Sequence, residues 1–331
     1  MAKLLYGTIR GVYLLSVIAL MLLEGRCFED GNNNIVKIAP HGLELTQTIN
    51  LQRQEFLQKM CELMGYTSKT LKDLKDEQLE HLIVDRKHKL LYCYVPKVAC
   101  TNWKRILMIL TGKWQNGTDP LQIPASLAHS PSMFEKLNTF SQDERVQILR
   151  EYTKFLLVRH PFERLLSAYR NKLEGSTESA RYFQKRIGKT IVKNFRANPT
   201  NESLVNGHDV SFTEFIQYLL TPNISQSYQS NQSFNEHWEP ASKLCHPCAI
   251  KYNVIGKYET LLDDSSLALH LVGADGVTFP TGHRTAGTSS YLKKYFDPIP
   301  LGIVRKLYKV YELDFQLFDY GLADVLGFDF G

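Results

Sequence analysis

The sequence predicts an α/β fold in which helices flank a central, mostly parallel sheet. Two strand–loop–helix units carry this prediction. In the first, the apolar run "LLYCYV" (90–95) leads through a polar loop into the helical pattern "WKRILMIL" (103–110). In the second, "YTKFLLV" (152–158) leads through "RHP" into "FERLLSAYRNKLE" (162–174). Ligands of such sheets bind beyond the carboxyl ends of the strands, so we expect both loops at the binding edge.

The other elements follow from hydrophobic spacing and capping residues. In the second helix, Phe162, Leu165, Leu166 and Tyr169 share one face, and Pro161 suits its first turn. The helix at 103–110 should end at Gly112. Further helices are predicted at 51–64, 68–84, 212–220 and 301–321, and residues 251–261 should form a strand leading into a helix.

The N-terminus predicts a membrane anchor with most of the chain in a lumen. Lys3 and Arg10 precede an unbroken apolar stretch over 11–23, and no good cleavage site follows it. We therefore predict a cytosolic tail (1–10), a signal-anchor (11–23), a polar stem (24–75) and a luminal domain (76–331). A cleaved signal peptide is the competing interpretation.

Sequons and cysteines fit a luminal domain. Four Asn-X-Ser/Thr sequons occur, at Asn116, Asn201, Asn223 and Asn231. The six cysteines are Cys27, Cys61, Cys93, Cys100, Cys245 and Cys248. Within "CHPC" (245–248) a local disulfide or two structural thiols is favoured over a zinc site, because no second pair of ligands has the right spacing.

The first loop has the chemistry of a phosphate site. Lys97 provides a positive charge at a strand end, Thr101 and Asn102 provide polar groups, and the amides that open the next helix near Trp103 face an incoming anion. The structural alternative is a polar turn before a helix that needs a cap.

The second loop strengthens that interpretation. Arg159 directly follows a buried strand, where its guanidinium can bind a phosphate through two hydrogen bonds, and Ser167 lies in the next helix. The alternative is an ion pair between Arg159 and Glu163. Two such units in one chain indicate one ligand with two separated phosphates.

These motifs resemble a known family. "VPKVACTNWKR" (95–105) and "LLVRHPFERLLSAYRNK" (156–172) are similar to the two donor-binding motifs of the Golgi carbohydrate sulfotransferases, above all the chondroitin and dermatan 4-O-sulfotransferases. "FNEHW" (234–238), "LCHPC" (244–248), "GKYETL" (256–261) and "YELDFQLFDY" (311–320) add to the likeness, which spans about residues 75–320. The resemblance implies a sulfotransferase (P-loop-like) fold and 3′-phosphoadenosine 5′-phosphosulfate as the sulfate donor.

The resemblance also assigns the donor-binding residues. The 5′-phosphosulfate would be held by Pro96, Lys97, Val98, Ala99, Cys100, Thr101 and Asn102. The 3′-phosphate would be held by Arg159, His160, Pro161, Phe162, Glu163, Arg164, Leu165, Leu166 and Ser167. The family usually has an acid where this chain has His160, a departure that bears on the orientation of Arg159.

The implied reaction is an in-line displacement by a sugar hydroxyl. Lys97 and Thr101 would stabilise the charge on the leaving bisphosphate, and a histidine would accept the hydroxyl proton. His129, in "SLAHSP", is the favoured base, and His237 is the rival. No metal is needed, because ammonium and guanidinium groups supply the electrostatic stabilisation.

The acceptor would be an anionic glycosaminoglycan. The simplest reacting group is the 4-hydroxyl of N-acetylgalactosamine in chondroitin or dermatan. The reaction would take place in the Golgi lumen, catalysed by a single-pass membrane protein. The basic run from Arg181 to Arg196 could hold this acceptor.

Sulfation of another glycan, phosphoryl transfer and non-catalytic glycan binding remain alternatives, although the chain lacks the G-x-x-x-x-G-K-[ST] motif of many phosphoryl-transferring enzymes. A net charge of only +5, the sequons and the anchor argue against a nucleic-acid partner. Nothing in the sequence indicates an oligomeric state.

Overall fold

The structure is a computed structural model that describes residues 40–66, 74–226, 234–280, 288–323 and 327. The predicted cytosolic tail, the predicted anchor, Cys27 and the sequon at Asn231 lie outside the described residues. No helix within the described ranges is long and apolar enough to cross a membrane.

A five-stranded sheet with the order β3-β1-β2-β4-β5 forms the centre of the fold. β2, β4 and β5 run parallel, whereas β1 is antiparallel to both β2 and β3. The parallel core agrees with the prediction, and the antiparallel edge makes the sheet mixed. The strands are β1 (Leu82–Asp85), β2 (Leu90–Cys93), β3 (Glu135–Lys136), β4 (Thr153–Val158) and β5 (Val254–Lys257).

Fourteen α-helices lie in the described residues, with short 3-10 and π-helical turns between some of them. They are α1 (Pro40–Leu63), α2 (Cys100–Leu110), α3 (Ala125–Ala128), α4 (Gln142–Glu151), α5 (Pro161–Tyr169), α6 (Glu178–Phe183), α7 (Lys189–Phe195), α8 (Asn201–Asn206), α9 (Phe212–Leu219), α10 (Pro222–Ser225), α11 (Ala241–Cys245), α12 (Leu261–Leu271), α13 (Thr288–Phe296) and α14 (Leu301–Leu317).

The predicted strand–loop–helix units are confirmed. β2 leads into α2, and β4 leads into α5, with Pro161 as the first residue of that helix. All four β2 residues are buried, and Trp103 of α2 packs against Tyr92 and Phe155 of the two strands. Because β2 and β4 are parallel neighbours, their carboxyl ends place both loops at one edge of the sheet.

The predicted helix over 68–84 is wrong at its C-terminal end. Residues 82–85 form β1, which pairs with β2 in an antiparallel hairpin, and a 3-10 turn (Asp76–Leu79) precedes it. Leu82, Ile83 and Val84 of β1 are all buried, so these side chains form a continuous apolar run instead of an alternating one. Such a run cannot be told from a helix segment by periodicity alone.

The stem prediction is corrected from residue 40 onward. Helix α1 starts eleven residues before the predicted helix at 51–64 and packs on β5, α12 and α14. Asn50 hydrogen-bonds to the backbone of Asn253 and Ile255, and Arg53 bonds to Asp264. Residues 40–66 therefore belong to the folded unit, and the boundary predicted at residue 76 lies too late.

The cysteine pairing also differs from the prediction. The two cysteines of "CHPC" do not pair with each other, since Cys245 bonds to Cys93 and Cys248 bonds to Cys61. These disulfides join segments 152 and 187 residues apart, a pairing that local sequence could not reveal. One ties the last residue of α11 to the last residue of β2, and the other ties the turn after α11 to α1.

Candidate active site

The first loop follows β2 and turns into α2 without a glycine. Lys97 and Ala99 both adopt left-handed backbone conformations, with φ values of 72° and 55°. Such conformations cost non-glycine residues on the order of 1 kcal/mol each and concentrate at functional sites. Ala99 is the N-cap of α2 and offers no side-chain cap, so the first amides of the helix are left for a ligand.

Lys97 has no hydrogen-bond or ion-pair partner among the described residues. Burial is the main cause that lowers the pKa of its ammonium group to about 8, and the positive charges of Lys172, Arg159 and Arg164 lower it further. An amine in this setting gains most when an anion binds beside it. The geometry supports the predicted anion-binding role of Lys97.

Arg159 lies at the end of β4, next to the first loop. Its guanidinium donates from Nε and Nη2 to Oε2 of Glu163 at 3.2 and 3.1 Å and stacks on the ring of Tyr258 at 4.2 Å. The ion pair that the sequence offered as an alternative is thus present. It fixes the guanidinium plane at the sheet edge and does not use all five of its donors.

Arg164 ties the two loops together from below. This side chain is 2% exposed, and it donates to the carbonyl oxygens of Pro96 (2.9 Å), Glu239 (2.6 Å) and Glu236 (3.0 Å). Three carbonyls of two separate segments therefore converge on one cation, which has no room to contact a ligand. Arg164 holds the site in place and is not itself a donor-binding side chain.

The two candidate bases sit in different settings. His129 ends the short helix α3, and its Nε2 lies 2.9 Å from Thr101 Oγ1 in α2. His237 is half-buried in the turn 234–240, where its ring meets Phe183 edge-on at 5.2 Å. Burial is the main cause that lowers the pKa of both rings, for His237 to about 2. Both rings are therefore neutral near pH 7.

The sequence pattern of the sulfotransferase family matches residues 80–321 of this chain. Over 294 residues the chain is 42% identical to "Carbohydrate sulfotransferase 11" of the rat, covering 88% of this chain and 82% of that protein. It is 40% identical to the zebrafish protein of that name over 308 residues (92% and 86%), and 37% identical to "Carbohydrate sulfotransferase 12" of Xenopus laevis over 303 residues (85% and 70%). The chain belongs to the sulfotransferase family. No solved structure gave a match.

Several residues of the second predicted motif serve this sulfotransferase as core. Pro161, Phe162, Leu165 and Leu166 are buried, and Phe162 stacks on Phe296 at 5.0 Å. Phe162, Leu165 and Leu166 belong to the hydrophobic core, so their side chains pack inside the protein, and the donor-binding role of these positions stays a prediction. Val98 of the first motif is likewise fully buried.

His160 also faces the core. Its side chain is 2% exposed, its Nε2 donates to the carbonyl of Gly321 at 3.1 Å, and its ring contacts Phe315 and Tyr320. A residue so placed cannot hold a phosphate or orient Arg159, whose direction is set by Glu163 and Tyr258. The departure from the family pattern at this position is accommodated by the C-terminal segment.

The remaining predicted residues line the site or support it. Ser167 is half-buried, and the first-turn residue Cys100 is a buried free thiol, which agrees with a packing role beside the loop. Asn102 turns its Oδ1 toward Arg105 (3.0 Å) and so braces the helix instead of offering that oxygen to a ligand.

Sequence reasoning missed three charged residues of the sulfotransferase site. Lys104 is 9% exposed with its Nζ 3.9 Å from the ring centre of Tyr94, and Lys172 reaches the site from the π-helical turn Arg170–Glu174. Glu236 accepts from Tyr94 Oη at 3.4 Å. Burial is the main cause that lowers the pKa of both lysines, and Glu236 counteracts it. All three residues lie within motifs quoted above, Lys104 in 95–105, Lys172 in 156–172 and Glu236 in "FNEHW", but the sequence does not show that they come together.

Three predicted glycosylation sites can be placed. Asn116 and Asn223 are exposed, and Asn201 is the exposed first residue of α8. Their exposure fits a modified asparagine, since an attached glycan needs solvent.

Proposed function

We propose that this sulfotransferase moves sulfate from 3′-phosphoadenosine 5′-phosphosulfate to a glycosaminoglycan hydroxyl, most simply the 4-hydroxyl of N-acetylgalactosamine in chondroitin or dermatan. The observation that carries the proposal is the placement of Lys97 and Arg159 after two adjacent parallel strands. One ligand with two separated phosphates can then reach both cations. The names of the relatives, which are carbohydrate sulfotransferases, support a sugar acceptor.

In this proposal the two loops divide the donor between them. Lys97 and the first amides of α2 bind the 5′-phosphosulfate and stabilise the charge that grows on the leaving oxygen. Arg159 binds the 3′-phosphate with the donors that Glu163 does not occupy. His129 or His237 accepts the proton of the attacking hydroxyl.

The acceptor polymer is proposed to lie along the basic run 181–196. Lys185, Lys189 and Lys193 are spaced by four residues, and none of them forms an ion pair among the described residues. Arg196 does not belong to this surface, because it pairs with Asp209 and Glu214. The run begins beside the site, since Phe183 contacts His237. We propose that the protein is anchored in the Golgi membrane with this domain in the lumen. A basic surface beside the site suits an anionic glycan acceptor there.

Labelled phosphosulfate offered with chondroitin, desulfated dermatan and heparosan tests the proposal, with disaccharide analysis of the products. We expect label on the 4-position of N-acetylgalactosamine. Label on heparosan alone, or at the 6-position, would contradict the acceptor assignment. Binding of glycan with no transfer from phosphosulfate would favour the non-catalytic alternative, and transfer from ATP would favour a kinase.

The acceptor surface has its own test. Changing Lys185 and Lys189 to Glu should raise the KM for chondroitin and weaken its dependence on salt, while the KM for phosphosulfate stays the same. The double change of Lys293 and Lys294 to Glu, on the exposed face of α13, is the matched charge control. Equal effects of the two changes would remove this surface from the proposal.

A further inference from the structure

The turn 234–240 fixes which ring nitrogen of His237 carries the proton. Oδ1 of Asn235 lies 3.1 Å from the backbone nitrogen of His237 and 2.7 Å from its ring Nδ1. A backbone N–H can only donate, so the Asn235 atom that faces it is the oxygen and not the amide nitrogen. The same oxygen can only accept from Nδ1. Nδ1 is therefore protonated, and the lone pair of the neutral ring lies on Nε2.

The backbone of this turn is held rigidly from two sides. Arg164 donates to the carbonyls of Glu236 and Glu239, and Tyr311 Oη donates to the carbonyl of Trp238 at 2.6 Å. These donors are buried, so the turn cannot shift without breaking bonds that water does not replace. The ring of His237 is thus fixed in direction as well as in tautomer.

Nε2 is the ring nitrogen of His237 that a substrate would contact. No described residue forms a hydrogen bond to Nε2 of His237. Burial is the main cause that lowers the pKa of the ring and keeps it neutral, and the charges of Lys172, Lys97, Arg164 and His129 lower this pKa further. A neutral ring with a free Nε2 can accept a proton as soon as an anionic donor offsets the surrounding positive charge.

His129 is held differently. Its Nε2 is engaged by the hydroxyl of Thr101 at 2.9 Å, and no described residue forms a hydrogen bond to its Nδ1. Nothing in the described residues therefore selects a tautomer that leaves Nε2 free to accept a proton. The contact positions Thr101 at the start of α2 and leaves His129 less suited to proton transfer.

Resting on the proposed function, we propose that Asn235 is a positioning residue that fixes the tautomer of His237, and that His237 is the general base. The acceptor hydroxyl oxygen forms a bond to sulfur as the bond from sulfur to the 5′-phosphate oxygen breaks. The hydroxyl proton passes to Nε2 of His237, and the leaving oxygen keeps the electron pair beside Lys97. Solvent then removes the proton from the ring, so the products are the sulfate ester and the bisphosphate.

Nitrogen-15 NMR of histidine-labelled protein tests the tautomer without any need for activity. We expect His237, assigned by its loss in His237→Gln, to show a protonated Nδ1 and an unprotonated Nε2 at pH 7. The Asn235→Ala variant should show a mixture of tautomers or a protonated Nε2. A protonated Nε2 in the wild-type protein would overturn the inference.

Kinetics separate positioning from mere stability. Asn235→Ala should lower kcat by about 100-fold with the KM of each substrate changed less than about twofold, because only proton transfer is affected. Asn235→Asp keeps the accepting oxygen, so it should retain kcat within about tenfold and move the acid limb of the pH profile upward, since a carboxylate stabilises the protonated ring. His270→Ala, an exposed histidine paired with Asp275, is the control.

The outcomes distinguish the proposed function from the proposed role of Asn235. A wild-type protein that transfers no sulfate to any glycan would defeat the proposed function, whatever the tautomer of His237. Transfer by the wild type together with full kcat in Asn235→Ala would defeat only this inference. Equal losses of kcat in Asn235→Ala and Asn235→Asp, with no shift of the pH profile, would also defeat it.

Discussion

Nε of Arg164 donates to the carbonyl oxygen of Pro96 at 2.9 Å. This bond joins the helix of the second loop to the first loop, so the halves of the proposed donor site are physically connected. The same guanidinium binds two carbonyls of the turn that carries His237. One buried cation thus sets the relative positions of three functional segments.

Replacement of Arg164 should destabilise the protein strongly. Arg164→Leu leaves three buried carbonyls without donors, which we expect to lower the free energy of unfolding by about 3 kcal/mol or more. Urea unfolding measures this loss. Arg159→Leu is the comparison, because it removes a single ion pair at the sheet edge. It should affect stability less but raise the KM for phosphosulfate, and the opposite pattern would contradict both assignments.

Replacement of Lys97 should remove activity and stabilise the ligand-free protein at neutral pH. The pKa of Lys97 is lowered to about 8, so the unfolded chain holds this proton more tightly than the folded one. Between about pH 8 and the ordinary lysine pKa of about 10.4, stability from this group rises with pH. Below pH 8 its full destabilising effect is present.

The test compares the wild type with Lys97→Met. The variant should melt at a higher temperature than the wild type at pH 7, and this difference should shrink as the pH rises toward 10. Adenosine 3′,5′-bisphosphate should raise the melting temperature of the wild type more than that of the variant. A variant less stable than the wild type at pH 7 would show that Lys97 has a structural partner.

The first helix should stabilise the edge of the sheet through one side chain. Asn50 accepts from the N–H of Ile255 (2.9 Å) and donates to the carbonyl of Asn253 (2.7 Å), at the outer edge of β5. Asn50→Ala should lower the free energy of unfolding by about 2 kcal/mol, because the buried N–H of Ile255 loses its partner and the carbonyl of Asn253 loses one of its two donors. Gln54→Ala removes only an exposed bond to Asn253 and serves as the control. Equal losses would argue against edge protection.

A glycine pair should tolerate no side chain. A Cβ on Gly188 would lie 2.2 Å from the carbonyl oxygen of Gly207, where the turn after α6 crosses the end of α8. Gly188→Ala should therefore lower the free energy of unfolding by about 3 kcal/mol and displace the start of the basic helix α7. Gly302→Ala, whose Cβ would meet no atom within 4 Å apart from its chain neighbours and its own helix backbone, should be neutral or stabilising. Thermal unfolding of the two variants decides this.

Local sequence patterns predicted most elements because their side chains meet the sheet in a regular way. The spacing of Phe162, Leu165 and Leu166 indicates a helix face, and that face is buried in the structure. The pattern failed for β1, where Leu82 to Val84 are buried on both faces and show no alternation. It also could not show that His160 faces the core, because Gly321, whose carbonyl bonds its ring, lies 161 residues away in the chain.

The sequence by itself determined the parallel core of the fold, the two loops with Lys97 and Arg159, and the family. It could do so because each loop follows a strand directly, and the chemistry of a loop is written in consecutive residues. Only the tertiary structure decided the disulfide partners, the place of α1 in the domain, the convergence of Lys104, Lys172 and Glu236, and the tautomer of His237. These depend on contacts between residues far apart in the chain, whose energies exist only once the segments are packed together.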